Sequence, residues 1–144
     1  MIAHRLVLAL AALVAVVASV ELPAPSGAAD GEAAFVVGVD SPTVKVGHPA
    51  VIVATITPRN GYRITEYYRH RIVNLTSIDD GVDVTRRVVR GSVKEDGTVV
   101  FRIEVQPKTV GVHIVAGVFR FSINNGTQLD IKAAPFEATV TVTE

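Results

Sequence analysis

Two hydrophobic patterns divide the chain. Leu6 to Val20 is an unbroken run of Leu, Val, Ala and one Ser. From Phe35 to Val142 the apolar residues instead return at every second position, with turn residues between the runs. A period of two places alternate side chains on opposite faces of a strand. The expected strands begin with Phe35-Val37-Val39, which ends at Asp40-Ser41-Pro42, and a short piece over Thr43–Val46. Ala50–Thr57 follows, with Ile52, Ala54 and Ile56 on one face. Pro58-Arg59-Asn60-Gly61 is a turn, because Pro fixes φ and Gly after Asn allows positive φ. Tyr62–Arg69 alternates poorly and reads as a loop or irregular edge.

Arg71, Val73 and Leu75 open the next strand, and Asp79-Asp80-Gly81 turns the chain. Arg86–Val93 reads as extended, with Val89 and Val93 inward. Asp96-Gly97 predicts a tight hairpin. The cleanest alternation follows: Val99, Phe101, Ile103 and Val105 inward, Arg102 and Glu104 outward. In Val112–Ile123 the phase slips. Val112, Ile114 and Ala116 share one face, then Phe119, Phe121 and Ile123 another, so a bulge or bend is expected at Gly117. Asn124-Asn125-Gly126 turns into a last strand, Phe136–Val142. No stretch after the first run has a 3.6-residue apolar period. About seven short strands separated by turns predict an all-β antiparallel sandwich of the immunoglobulin-like kind. Gly111-Val112-His113-Ile114-Val115 adds to this. It has the spacing of the Gly-x-Tyr-x-Cys start of a late sandwich strand, with His113 at the Tyr position, where a structural hydrogen bond at a strand corner is expected.

The first apolar run has a different meaning. Met1–Arg5 is a short basic start, and Gly27-Ala28-Ala29 supplies the small residues of a signal-peptidase site. Residues 1–29 are therefore expected to be a signal peptide cleaved after Ala29, with a cut after Ser19 as the alternative, and residues 30–144 the mature domain. An uncleaved anchor needs about 20 apolar residues, and the run is shorter. The chain is thus expected to be periplasmic or secreted, with no stable membrane insertion of its mature part.

Composition narrows the chemistry. The chain has 14 basic and 14 acidic residues. Losing Arg5 and Glu21 with the leader leaves the balance neutral, so nucleic acid is not an expected partner. There is no Cys, which excludes disulfides, thiolate metal ligation and thiol catalysis by this chain alone. His48, His70 and His113 lack metal-ligand spacing, and Asp79, Asp80 and Asp83 lack the pattern of a calcium loop. No cofactor is implied. No nucleophile motif stands out, and the chain is expected not to be an enzyme.

Two clusters remain. Arg59–Arg71 holds all three Tyr, and Tyr and Arg concentrate where proteins bind one another. Tyr62, Arg63, Tyr67, Tyr68, Arg69 and Arg71 are the candidate partner-binding residues. The other reading is of rings packed over a sheet edge and solvated arginines. Arg86, Arg87 and Arg90 form the second group, read as a basic strip that keeps an exposed strand from pairing with other chains.

Three segments taken in order carry a resemblance: Val44-Lys45-Val46-Gly47, Gly61-Tyr62-Arg63-Ile64-Thr65-Glu66-Tyr67, and Val115–Asn124 followed by the Phe136–Val142 strand. Over residues 35–143 the chain resembles the N-terminal periplasmic domain of the thiol–disulfide interchange protein DsbD, an immunoglobulin-like sandwich. In redox-competent relatives two Cys lie just after the Phe-x-hydrophobic run. Here Asn124 takes the first position, and Leu129 the second, or Gln128 if the loop differs by one. Neither an amide nor an alkyl group performs thiolate exchange. The resemblance implies a redox-inactive binding or accessory module whose partner is a thioredoxin-like or membrane redox protein. A carrier of a small ligand (a sugar, an anion or a metal) is the alternative.

Overall fold

The structure, a computed structural model, describes residues 33–144. The expected signal peptide lies outside the described residues. Ten strands follow one another: β1 Phe35–Val39, β2 Thr43–Lys45, β3 Ala50–Pro58, β4 Arg63–Ile64, β5 Arg71–Ser77, β6 Val82–Val84, β7 Val89–Val93, β8 Val99–Pro107, β9 Gly111–Asn124 and β10 Leu129–Thr143. Their order is β1-β3-β8-β7-β5-β9-β10-β2, with β4 beside β9 and β6 beside β8. No helix occurs among the described residues.

The two layers are joined by strands that change sheets. β1 runs antiparallel to β3. The chain then kinks at Asp40-Ser41-Pro42, and β2 runs parallel to the end of β10. β7 makes the second crossing. Its first residues pair with β5 (Arg90 with Arg71, Val89 with Ile72) and its last with β8 (Gly91 with Phe101, Val93 with Val99). Counting β1–β2 and β6–β7 as split strands gives seven strand positions, with β4 an offshoot. This is the expected immunoglobulin-like sandwich, curled until its two sheets form one hydrogen-bonded surface.

The core follows from the alternation. Ile52, Ala54 and Ile56 of β3 and Val99, Phe101 and Ile103 of β8 are fully buried. They face Phe119, Phe121 and Ile123 of β9 and Phe136 and Val140 of β10. Phe119 is central: its ring lies edge-on to Phe101 and to Phe136, with both centroids 5.4 Å away. Each buried Val, Ile or Phe side chain here contributes about 1.5–3 kcal/mol through burial.

Three expectations are corrected. β9 keeps one phase throughout: His113, Val115, Phe119, Phe121 and Ile123 are buried, while Val112 is 64% exposed. The irregularity expected at Gly117 lies instead in its neighbour, β5, whose register against β9 shifts between Val73 and Thr76, around Asn74 at φ +56°. Gly117 is the flat site on which that bulge rests. A Cβ there would stand 2.9 Å from the Val73 carbonyl oxygen and 3.1 Å from side-chain carbons of Ile72 and Leu75. Second, of the expected basic strip only Arg90 lies in a strand, β7, which is interior and is no sheet edge; Arg86 and Arg87 lie in the connection before it. Third, Val93 is exposed, because β7 has left the sandwich interior by its last residue.

β10 is also longer than its apolar alternation. Residues 129–135 pair with β9 as far as Leu129 opposite Asn124, beyond the core. On its other side β10 meets β2 only over Thr141–Thr143. The rest of that side has no strand neighbour among the described residues. Pro135 lies within this open edge.

Candidate binding surface

The 59–71 loop is anchored at both ends. Arg59 N–H donates to the Ala34 carbonyl, and Asn60 Nδ2–H to the Ala33 carbonyl at 2.7 Å. Tyr62 packs its ring against the core. β4 then pairs with the end of β9, Arg63 opposite Asn124 and Ile64 opposite Ile123. Ile64 is buried and Arg63 exposed. The loop turns back at Tyr67, whose backbone is left-handed at φ +62° and whose side chain is 100% exposed. For a bulky side chain that conformation costs on the order of 1–2 kcal/mol. Tyr68 is half-buried, tilted over the His70 ring at 5.2 Å. Arg69 is exposed, and its carbonyl accepts a hydrogen bond from Arg71 Nη1 at 2.9 Å.

The strained turn is held from beneath. His70 is only 4% exposed. Ser122 N–H donates to His70 Nδ1 at 3.4 Å, so Nδ1 carries the lone pair. Nε2–H then donates to the Thr65 carbonyl at 3.1 Å. Thr65 N–H donates to the Ser122 carbonyl, Ser122 Oγ–H donates to Thr65 Oγ1 at 2.8 Å, and Asn124 Nδ2–H reaches the same oxygen at 3.2 Å. Burial lowers the His70 pKa, partly opposed by the Thr65 bond. His70 is a neutral clasp between loop and sheet. Both ring nitrogens are occupied, so it offers no free base. Thr65, His70 and Ser122 were not among the candidate site residues. Ser122 alone gave a signal, as a hydroxyl between Phe121 and Ile123.

Asn124 and Leu129 are register partners, and Gln128 is not opposite Asn124. Ser122 directs its backbone N–H and carbonyl toward the 65–70 loop. Ladder alternation therefore makes Asn124–Leu129 a non-hydrogen-bonded pair, the kind whose Cα atoms come within about 4.5 Å. Disulfides span such distances. The loop between them is set by Asn125 Oδ1, which accepts from Thr127 N–H and from Gln128 N–H at 2.7 Å. Leu129 and Ile131 are exposed on the same outer face.

The candidates do not all converge. Asn124, Leu129, Arg63 and the latch beneath Tyr67 and Tyr68 share the hairpin mouth. Tyr62 is spent on packing. Arg71 belongs to another row, opposite Arg90 on one side and Arg120 on the other. Near that row lies a groove of about 390 Å³ lined by Arg86, Val88, Val89, Arg90, Arg102 and Glu104. Tyr67 shares an open depression of about 410 Å³ with Ile64, Glu66 and Val93, and neither Tyr62 nor Tyr68 lines it.

His113 sits at the far end of β9. Its Nε2–H donates to the Thr109 carbonyl and its Nδ1–H to Asp79 Oδ2 at 2.7 Å. This is the strand-corner bond expected at the Tyr position, made to a carbonyl four residues upstream. Gly81 lies against the ring where a Cβ would overlap it. The Asp79 bond, then the Thr109 bond, raise the His113 pKa; the His113 bond lowers that of Asp79.

The strand order and the histidine corner define an all-β, immunoglobulin-like sandwich. No protein-family model and no curated protein matches the chain. Among solved structures it is similar to AggA, the major subunit of aggregative adherence fimbriae type I from Escherichia coli. The identity is 12%, coverage is 76% of this chain and 94% of that one, and the TM-score is 0.43. It is also similar to the seventh PapD-like (ASH) domain of human CEP192, at 9% identity, 75% and 85% coverage and a TM-score of 0.33. At these scores the likeness carries no argument, and the fold rests on the strand order itself.

Proposed function

We propose that the chain is an exported, non-catalytic binding or accessory module. Its partner-facing surface is the Tyr67 loop together with the mouth of the β9–β10 hairpin. The observation that carries this reading is Tyr67: a fully exposed ring on a left-handed backbone, clasped from below by Thr65, His70, Ser122 and Asn124. Backbone strain persists where the surroundings over-determine it, and a rigid aromatic loses little entropy on binding. The full exposure of Tyr67, beside a depression that is open to solvent and shared with neither Tyr62 nor Tyr68, favours a protein partner over an enclosed small ligand. Kinship to the DsbD-type domain is the finer part of the reading. It is supported by the cross-strand pairing of Asn124 with Leu129 beside this surface.

One experiment addresses both levels. A photoreactive phenylalanine analogue replaces Tyr67 in the exported protein, and Val112 in a control. Crosslinking to one envelope protein from position 67 alone is expected; equal background from both positions overturns the binding surface. In parallel, Asn124→Cys is expected to trap a mixed disulfide with a thioredoxin-like or membrane redox protein. If position 67 crosslinks a protein of neither kind and the thiol traps none, the DsbD-type kinship fails while the binding surface stands.

A further inference from the structure

The segment between β6 and β7 leaves a groove for a traceable reason. β6 pairs with β8 over Val82–Val84, and the last three residues of β7 pair with β8 again. Between them the chain leaves β8 to reach β5: Leu75 N–H donates to the Arg87 carbonyl, and Arg90 stands opposite Arg71. The outward side chains of β8 at this point, Arg102 and Glu104, are thereby uncovered and line the groove with Arg86 and Arg90.

Arginines continue across the sheet from this groove. Arg90 and Arg102 stand one step beyond the Gly91–Phe101 pair. Arg90 is opposite Arg71, and Arg71 is opposite Arg120. Four guanidinium side chains thus cross four adjacent strands, β8, β7, β5 and β9, on the outer face. At a strand spacing of about 4.8 Å the row spans roughly 14 Å. Like charges placed directly opposite destabilise a sheet. The ion pairs among the described residues are Lys108–Asp83, His113–Asp79 and Lys132–Asp130, and none relieves this row. Four of the chain's ten arginines thus stand in one line, and none of the four is in an ion pair among the described residues.

We infer that this row and its groove bind a linear acidic polysaccharide, one bearing carboxylate or sulfate groups along the chain. Guanidinium forks bind such groups in two-pronged fashion, and lysine would not. A regular row of charges suits a ligand with regularly repeated anions. Val88, Val89 and the arginine stems provide an apolar floor for the faces of sugar rings. Glu104 selects among polyanions. The Glu104 carboxylate repels the closely spaced charges of polyphosphate, whereas a sugar hydroxyl can donate to it. No aromatic side chain lines the groove, whereas oligonucleotides draw much of their affinity from bases stacked on aromatic rings. This site is distinct from the Tyr67 surface, and neither inference depends on the other.

The test is calorimetric titration of the folded domain with size-matched oligosaccharides: oligouronate, sulfated and neutral. Polyphosphate and single-stranded DNA complete the series. Binding is expected for the acidic sugars, weakening as salt rises. Arg90→Gln with Arg102→Gln is expected to weaken it by on the order of tenfold or more, because each removes a charge-assisted contact. Lys45→Gln with Lys132→Gln removes the same charge elsewhere and is expected to leave it unchanged. Thermal unfolding of both double variants confirms that they fold. The proposal is overturned if neutral sugars bind as well as acidic ones. It is also overturned if polyphosphate or DNA binds more tightly, if no acidic sugar binds, or if the lysine variant loses as much affinity as the arginine variant.

Discussion

His70 and His113 titrate in opposite senses, His70 because burial penalises its charged form and His113 because it is bonded to the Asp79 carboxylate. Burial of the His70 ring, partly opposed by its bond to the Thr65 carbonyl, holds its folded pKa below 6.5, and Nδ1 accepts from Ser122 N–H. Its contribution is full above that value and is lost as pH falls through the window beneath it. His113 donates from both nitrogens to acceptors, so its folded pKa lies above 6.5. Its contribution is full below 6.5 and is lost as pH rises through the raised value. Stability against urea should therefore peak near pH 6.5. His70→Gln should flatten the acidic limb just below that pH, and Asp79→Asn the alkaline limb. Unfolding midpoints across a pH series measure both. Tyr67→Asn should raise stability by about 1 kcal/mol, since Asn tolerates the left-handed backbone, while reducing crosslinking at that surface. The His113 corner was legible because its bond closes over four residues. The His70 clasp was not, because Ser122 lies 52 residues away and no local spacing reports such a partner.

Elements were legible where both strand faces differ in polarity. β3 and β8 were, because their inward positions are apolar without exception. β9 misled because Val112, Ile114 and Ala116 are apolar on the outer side too, while a histidine and a glycine occupy the inner side. The true irregularity in β5 left its trace on Gly117, one strand away. Gly117→Ala should cost about 1–3 kcal/mol, as overpacking against the Val73 carbonyl has no flexible neighbour to yield; the shift in urea midpoint reports it. The first half of β10 was invisible because Asp130, Lys132 and Ala134 share the inward face with few apolar neighbours. In that half Pro135 falls at a position whose N–H would point to the open edge. The ladder places the hydrogen-bonded pairs at Ile123–Asp130 and alternately onward. Proline there withholds a donor from any added strand. Pro135→Thr should leave the fold intact and increase self-association, seen as concentration-dependent growth in light scattering.

At the scale of the whole molecule, the sandwich class was legible from strand number and turn spacing, but its closure was not. Nothing local marks β7 as serving two sheets. Its crossing depends on Gly91, where a Cβ would stand 2.4 Å from Val99 Cγ1 and 2.7 Å from the Phe101 ring. The arginine row was equally hidden. Arg71, Arg90, Arg102 and Arg120 are scattered in sequence, and only the strand order β8-β7-β5-β9 brings them into line.

The kink at Pro42 has a mechanical consequence. β2 and the end of β10 run parallel, with Thr43 beside Thr141 and Lys45 beside Thr143. Tension applied between Phe35 and Thr143 pulls these strands in opposite directions along their length. Their bonds, Thr141 N–H to the Pro42 carbonyl and Val46 N–H to the Thr143 carbonyl, are then loaded together instead of opening one by one. A domain stretched between those residues should yield in one abrupt rupture, and Thr141→Pro, which removes one of the donors, should lower the rupture force in single-molecule pulling. The same small parallel pairing that closes the sandwich would act as a load-bearing clasp.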